Sequence, residues 1–411
     1  MKKKIYIFNE MSRAAKYGIG TYTEQLIKCL KIINVEFSII QILSENEEVS
    51  IIEKDGYEEI LIPAIYYFDK KGSEYYSKSI AYLLAEFIPK EKNTQYIFHL
   101  NFMTKPDLVI NLRKIFKCKI ILVAHYTNWS FSLLGDYEKL KKILLKKKSQ
   151  LTKIEEKISK GVKADIKMIN KSDWFVCVAK HTLNSFINIG NIDISKTSLI
   201  NNALKDSYTD INQKQKREIR RKYCISDDLQ IIIFVGRLDE VKGISYLIKA
   251  FKKVLKTDSK IHLIIVGEGN FNQYLAEAKN CWTKITFTGR LNKKQLYEFY
   301  NMSNIGIVSS IHEEFGFVAV EMMMHKLPII VSNTGGLSEI IEDNISGLKV
   351  PIKTIKGKRT INVSVLAEKI TTLLKNQNYA QELGLNARQR FLEKYELSVF
   401  KDKMLNLYQN I

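Results

Sequence analysis

Two carboxylates, Glu313 and Glu321, stand eight positions apart in His312-Glu313-Glu314-Phe315-Gly316-Phe317-Val318-Ala319-Val320-Glu321. They flank an apolar turn that contains a glycine. The apolar run 305–308 precedes them, and a helix-like run, 320–325, follows. A strand, a glycine turn and a helix start make a place where backbone N–H groups can approach a phosphate. Acids on either side of such a turn accept hydrogen bonds from sugar hydroxyls, at either end of a nucleotide-sugar. The competing account is a buried strand–helix corner that carries two surface acids.

A second cluster is cationic. In Val235-Gly236-Arg237-Leu238-Asp239-Glu240-Val241-Lys242-Gly243 a strand ends at Gly236 and a helix starts near Gly243. Arg237 and Lys242 therefore fall on a loop at the carboxyl end of a parallel strand, the edge where open α/β sheets bind ligands. Arginine grips phosphate bidentately and lysine adds a compact charge, so the pair suits a diphosphate leaving group. Two more strand-end loops follow, Val266-Gly267-Glu268-Gly269 and Phe287-Thr288-Gly289-Arg290-Leu291. Each alone is a commonplace turn.

In the N-terminal half, Tyr17-Gly18-Ile19-Gly20-Thr21-Tyr22 opens a helix, and Gly18 and Gly20 leave its first N–H groups free to face an anion. A dinucleotide fingerprint is the rival reading, but its third glycine is missing. His125 closes the apolar run 120–124; a histidine at a strand end is either a site group or a satisfied structural residue. The other histidines have no metal-ligand spacing, and no Asp-x-Asp pair occurs, so no metal is expected.

Taken in order along the chain, these loops resemble the retaining GT-B glycosyltransferases of family 4, the glycosyl transferases group 1. The Glu-x7-Glu spacing and the Gly-Arg-Leu…Lys-Gly string carry the likeness, which is strongest between about residues 230 and 350. The resemblance implies that Arg237 and Lys242 bind the donor diphosphate, Glu321 the nucleotide ribose and Glu313 the hydroxyls of the transferred sugar. Gly316, Phe317, Val318, Gly267, Gly18 and Gly20 would complete the donor site. Arg290 and Leu291 would border the nucleobase, and His125 would stand near the transferred sugar. Two departures are visible: Tyr17 replaces the first of two adjacent glycines, and Asn201-Asn202-Ala203 replaces a Pro-Asn-Gly turn. The resemblance implies transfer of a sugar from a UDP- or GDP-linked donor to an unidentified acceptor in cell-surface glycan or glycoconjugate synthesis, with no cofactor beyond that substrate. A non-catalytic partner subunit and a GT-B-like epimerase or phosphorylase are the alternatives.

The chain must supply the elements that place these residues. Its 411 residues exceed one ordinary core, and 45% apolar content supports two. Apolar runs at 4–8, 35–43, 60–63, 96–100, 119–124 and 174–178 alternate with helical periods at 21–33, 75–87 and 107–116. The rhythm recurs with strands at 230–235, 262–266, 285–288, 305–308 and 329–331, and helices at 244–255, 270–279, 293–300, 318–325 and 337–341. This is the βαβ alternation of parallel sheets covered on both faces, giving an α/β fold of two Rossmann-like domains. The expected domains are 1–205 for the acceptor and 206–390 for the donor, facing across a cleft. A terminal helix, 391–411, crosses back to the first with Phe391, Tyr395, Phe400, Met404 and Leu407 on one stripe.

Five scattered cysteines without a Cys-x-x-Cys fit a reducing compartment. The N-terminal run 5–8 is too short for a signal h-region, so a cytoplasmic protein is expected. The net charge of +20 favours anionic partners. It is densest in residues 139–163, where ten lysines face two glutamates while Leu140, Leu144, Leu151, Ile154 and Ile158 keep a helical period. That pattern predicts one basic amphipathic helix. It is either a core helix with a solvated lysine face or a dock for an anionic membrane, which would place the protein peripherally on the inner face. Nucleic acid is not expected, because no aromatics interleave with the lysines.

Overall fold

Parallel strands need crossovers, and here nearly every strand is followed by a helix that covers one sheet face. The computed structural model describes residues 2–11, 17–64, 70–103, 106–355 and 357–411. The chain forms two units, Met1–Asn202 with Leu397–Ile411, and Ala203–Glu396.

The first unit holds β1 (Lys2–Glu10), β2 (Glu36–Ser44), β3 (Ser50–Lys54), β4 (Tyr57–Pro63), β5 (Thr94–Leu100), β6 (Cys118–Ala124), β7 (Trp174–Cys177) and β8 (Thr197–Leu199). Among the described residues they make one sheet in the order β3-β4-β2-β1-β5-β6-β7-β8. All pairs are parallel except the β3–β4 hairpin, which turns at Asp55-Gly56 with Gly56 at φ 78°. Helices α1 (Gly18–Ile32), α2 (Lys70–Phe87), α3 (Pro106–Ile115), α4 (Asn128–Ser132), α5 (Tyr137–Leu145), α6 (Lys153–Ile169) and α7 (Lys180–Ile189) pack around it. Ile5, Ile7, Ile97, Phe98, Ile121 and Leu122 are fully buried, which explains why the central strands read as unbroken apolar runs.

The second unit holds α8 (Gln213–Lys222), β9 (Gln230–Val235), α9 (Ile244–Leu255), β10 (Ile261–Val266), α10 (Phe271–Ala278) and β11 (Ile285–Gly289). It continues with α11 (Lys293–Met302), β12 (Ile305–Val308), α12 (Phe317–Met324), β13 (Ile329–Asn333), α13 (Gly335–Ile340), β14 (Leu348–Ile355), β15 (Lys358–Ile361), α14 (Val363–Lys375) and α15 (Gln377–Lys394). The sheet order is β11-β10-β9-β12-β13-β14-β15, with only β14–β15 antiparallel. From β9 the chain proceeds outward through β10 and β11, then returns to the far side of β9 as β12. The loops after β9 and β12 therefore diverge at a topological switch point, where such sheets open a crevice.

The last helix, α16 (Leu397–Asn410), belongs to the first unit. Phe400, Met404 and Leu407 are buried, and the Lys3 ammonium donates to the Tyr408 carbonyl at 2.6 Å. Phe391 and Tyr395 are buried in the second unit.

Three differences from expectation have local causes. Strands β3, β8, β14 and β15 were not foreseen: β3 is almost wholly exposed, β8 has three residues, and β14 and β15 carry lysines. The glutamate-bearing helix α12 starts at Phe317, earlier than its apolar run suggests, because Gly316 at φ 117° supplies its N-cap. The single basic helix over 139–163 is two helices. The chain leaves α5 at Lys146, makes one 3-10 turn over Lys148–Gln150 and restarts as α6 behind Thr152. The Thr152 hydroxyl accepts from the Glu155 N–H while the Glu155 carboxylate accepts from the Thr152 N–H, a capping box that starts a new helix. The break also breaks the stripe. Leu140, Ile143, Ile158 and Val162 are buried, whereas Leu145 is 85% exposed and Ile154 70%.

Among the described residues no helix is long and apolar enough to cross a membrane.

Candidate functional site

The loop after β9 is pinned at both ends of its chemistry. Asp239 caps a 3-10 turn by accepting from the Lys242 N–H at 3.2 Å. Gly243 follows at φ 68°, and a Cβ there would stand 1.9 Å from the Ser309 carbonyl oxygen. Only glycine lets the β9 loop lie this close to the β12 loop. The two loops are then stitched together. The Ile311 N–H donates to the Val241 carbonyl at 2.7 Å, and the Ser309 hydroxyl to the Lys242 carbonyl at 3.1 Å.

That stitching places the Lys242 ammonium 2.6 Å from Glu313 Oε2, to which the Ser310 hydroxyl also donates at 2.9 Å. Burial works against the Glu313 carboxylate, but Lys242 and Ser310 outweigh it and hold its pKa below the ordinary carboxylate value. Glu313 is therefore an anion at neutral pH, with one oxygen already engaged. A third loop locks it from behind. The Gly336 N–H donates to the Glu313 carbonyl at 2.9 Å, and a Cβ on Gly336 would meet the Phe315 carbonyl oxygen at 2.2 Å.

Gly316 caps α12 without a side-chain hydrogen bond. The N–H groups of Phe317 and Val318 lie in the first helical turn and have no intrahelical acceptor. They point outward with the positive end of the helix dipole, an arrangement suited to phosphate.

Glu321 lies further along α12, and its partner is Tyr300, whose hydroxyl donates to Oε2 at 2.8 Å. Burial raises the Glu321 pKa; Tyr300 and Lys293 pull it back only in part. Glu321 is the one acid in a helix otherwise built of Phe317, Val318, Ala319, Val320 and three methionines, and burying it there costs stability. Tyr300 itself is buried against Tyr297 and His325.

Among the predicted residues, then, Lys242 and Glu313 meet directly. Glu321 sits on the same helix as Phe317 and Val318 but engages Tyr300. Arg237 pairs with Asp239 at 3.0 Å. Gly267, at φ 144°, brings the β10 loop against the β9 loop, since a Cβ there would stand 1.8 Å from the Gly236 carbonyl oxygen. Arg290 is exposed, 3.8 Å from Glu268, with half-buried Leu291 beside it in sequence.

His125, Gly18 and Gly20 lie in the first unit. Tyr17 caps α1, and the first intrahelical bond runs from the Thr21 N–H to the Tyr17 carbonyl at 2.9 Å. The Gly18 and Gly20 N–H groups precede it and have no acceptor in the helix. His125 follows β6 and bonds through Nε2 to Asn101 Oδ1 at 3.1 Å, its ring edge-on to Tyr22. Burial and the neighbouring His99 push its pKa down to about 3, so it is neutral. His99 is bonded by the Tyr22 hydroxyl at 3.0 Å and the Tyr408 hydroxyl at 2.8 Å.

Sequence reasoning missed Ser310, Tyr300 and Asn101. Serines directly after the apolar run 305–308, tyrosines three apart at 297 and 300, and an asparagine directly after β5 were the available signals. Among the described residues, no three His, Cys, Asp or Glu side chains group as a metal site would require.

Residues 215–390 match the family described as Glycosyl transferases group 1. An uncharacterized glycosyltransferase of Methanocaldococcus jannaschii is 30% identical over 241 residues, 57% of this chain and 59% of that protein. The chain spans about half the length of the curated relatives it matches. Among solved structures, sucrose-phosphate synthase from Thermosynechococcus elongatus superposes with a TM-score of 0.76 at 19% identity, covering 99% of this chain and 98% of that one. An Anabaena protein crystallised with UDP and glucose superposes with a TM-score of 0.71 at 13% identity, covering 99% and 100%.

Proposed function

We propose, from the match of residues 215–390 to the glycosyl transferases group 1 family and from the GT-B fold, that the chain is a retaining glycosyltransferase. It moves a glycosyl unit from a nucleoside diphosphate sugar to an acceptor hydroxyl. The observation that carries this reading is the Lys242–Glu313 pair at the switch point of the second sheet, beside the open N-terminus of α12. The structural neighbour that bound UDP and glucose supports the donor class. An epimerase, a phosphorylase or a non-catalytic subunit is not favoured by this set of groups or by the family match.

In this reading the diphosphate lies against Arg237, Lys242 and the first N–H groups of α12. Positive charge there stabilises the phosphate oxygen that gains charge as the glycosidic C–O bond breaks. Glu313 keeps one oxygen on Lys242 and Ser310 and offers the other to hydroxyls of the transferred sugar. Glu321, held by Tyr300, accepts from the ribose hydroxyls. The acceptor oxygen attacks the anomeric carbon on the face the diphosphate leaves, and its proton passes to the departing phosphate oxygen. The products are a glycoside with retained configuration and a nucleoside diphosphate. The cationic side chains serve where a metal would otherwise neutralise the leaving group.

The test is incubation with UDP-, GDP- and ADP-sugars in EDTA, following nucleotide release and the anomeric configuration of the product by NMR. Release of nucleotide with the donor's configuration is expected. An absolute requirement for Mn²⁺ or Mg²⁺, or an inverted product, overturns the metal-free retaining reading.

We also assign residues 139–163 to peripheral docking on an anionic membrane at the cytoplasmic face. Support comes from Lys146, Lys147 and Lys148 at the break between α5 and α6, flanked by the exposed Leu145 and Ile154. Such a corner offers apolar side chains to the acyl boundary and cations to the headgroups.

A further inference from the structure

Helix α6 buries one stripe, Ile158, Val162, Asp165 and Ile169, at the spacing of an apolar face. Asp165 occupies a position in that stripe where a hydrophobic residue belongs. It is 4% exposed, and no described residue makes a hydrogen bond or ion pair with it. An unpaired buried carboxyl group is costly, and nothing in the packing of α6 against its neighbours offsets it.

Asp165 is not enclosed on all sides. It lines a cavity of about 10 Å³ whose wall also includes His125, Asn101, Asn128 and Tyr126. That volume accepts one water, and the wall offers the polar partners a water needs. The protonation of His125 follows from its neighbours. Asn101 Nδ2 donates to Asn9 Oδ1 at 2.8 Å, so Asn101 Oδ1 is an acceptor and the His125 Nε2 facing it carries the proton. His125 Nδ1 is then a bare acceptor.

We propose that Asp165 is a positioning residue for His125, acting through a single water held in the cavity they share. The water donates one hydrogen to the Asp165 carboxylate and the other to His125 Nδ1, which holds the ring in place until a substrate hydroxyl displaces the water and donates to Nδ1 instead. Burial raises the Asp165 pKa to about 7. This inference rests on the proposed glycosyl transfer and on His125 standing near the transferred sugar, as the family resemblance implies.

Two measurements on the full chain separate the inference from that function. In the first, ring ¹⁵N spectra of histidine-labelled protein, assigned with a His125 variant, report the tautomer directly. The wild type should show His125 as a single Nε2–H tautomer. Asp165→Leu, which completes the apolar stripe, should shift the His125 ring resonances, the Nδ1 signal above all, and Asp165→Asn should restore them. Asp165→Ala serves should the leucine variant not fold. In the second, Asp165→Leu should lower kcat for nucleotide release at least tenfold with the donor KM unchanged, and Asp165→Asn should recover most of the loss. Unchanged His125 ring spectra in the leucine or alanine variant overturn the positioning role. Changed spectra in a protein that turns over no nucleotide-sugar instead uphold that role and overturn the function.

Discussion

Arg237 and Lys242 differ in how they are held, and that difference is open to test. Lys242 is fixed by Glu313, on another strand end, at 2.6 Å, whereas Arg237 pairs with Asp239, on its own loop, at 3.0 Å. Replacing both with alanine should lower turnover by about 10²-fold or more through lost leaving-group stabilisation. Wild-type nucleotide release from the purified double variant would refute the donor-site assignment. The two glutamates should respond with opposite signs. The Glu313 pKa is depressed, so its stabilising contribution is present above the ordinary carboxylate pKa and lost as pH falls through the lower folded value. At neutral pH, Glu313→Gln should therefore destabilise, by about 2–3 kcal/mol, because Lys242 loses its counter-charge. The Glu321 pKa is raised, so its contribution is present below the ordinary value and lost as pH rises through the folded one. Glu321→Gln should then raise Tm at neutral pH while weakening nucleotide binding. Thermal melts of both variants at pH 7, with and without UDP, decide the matter; shifts of the same sign would contradict the electrostatic account.

At the scale of the element, the site depends on loops that touch through glycine. Gly243 lies against the β12 loop, Gly267 against the β9 loop and Gly336 against the Phe315 carbonyl. The Gly243 contact lets Lys242 on one strand end meet Glu313 on another. Gly267→Ala places a methyl group 1.8 Å from the Gly236 carbonyl oxygen at a φ of 144°. Backbone must move to admit it, at a cost of roughly 3 kcal/mol. Urea unfolding should show that loss together with weakened nucleotide binding. A variant as stable as the wild type would mean that the two loops do not need this approach.

For the whole molecule, surface charge has a direct readout. The protein should sediment with anionic liposomes and not with neutral ones. Charge reversal at Lys146, Lys147 and Lys148 should release it, and Leu145→Ser with Ile154→Ser should weaken it further. Exposed lysines feel the lipid potential only within a Debye length, about 8 Å at physiological salt. Donor binding in the other unit should therefore be unchanged. Equal sedimentation of wild type and the reversed variant would leave residues 139–163 as a solvated surface.

What the sequence by itself determined is whatever local pattern encodes. Strand runs such as 230–235 and 305–308 are continuous because both sheet faces are covered, and helix Ile244–Leu255 reads directly from its period. The cationic and acidic loops were legible because they sit at strand ends, where composition changes abruptly. The sequence also held a signal that a single helical period concealed: the capping box at Thr152 and Glu155, which divides the basic segment. Only the tertiary structure decided which side chains meet. Lys242 and Glu313 are 71 positions apart, Tyr300 and Glu321 are 21 apart, and His99 and Tyr408 are 309 apart. No periodicity encodes such pairings, because they arise from strand order, and strand order reverses at β9. The burial of Asp165 was hidden for the same reason. A polar residue in an apolar stripe reads as exposed until the neighbouring helices close over it.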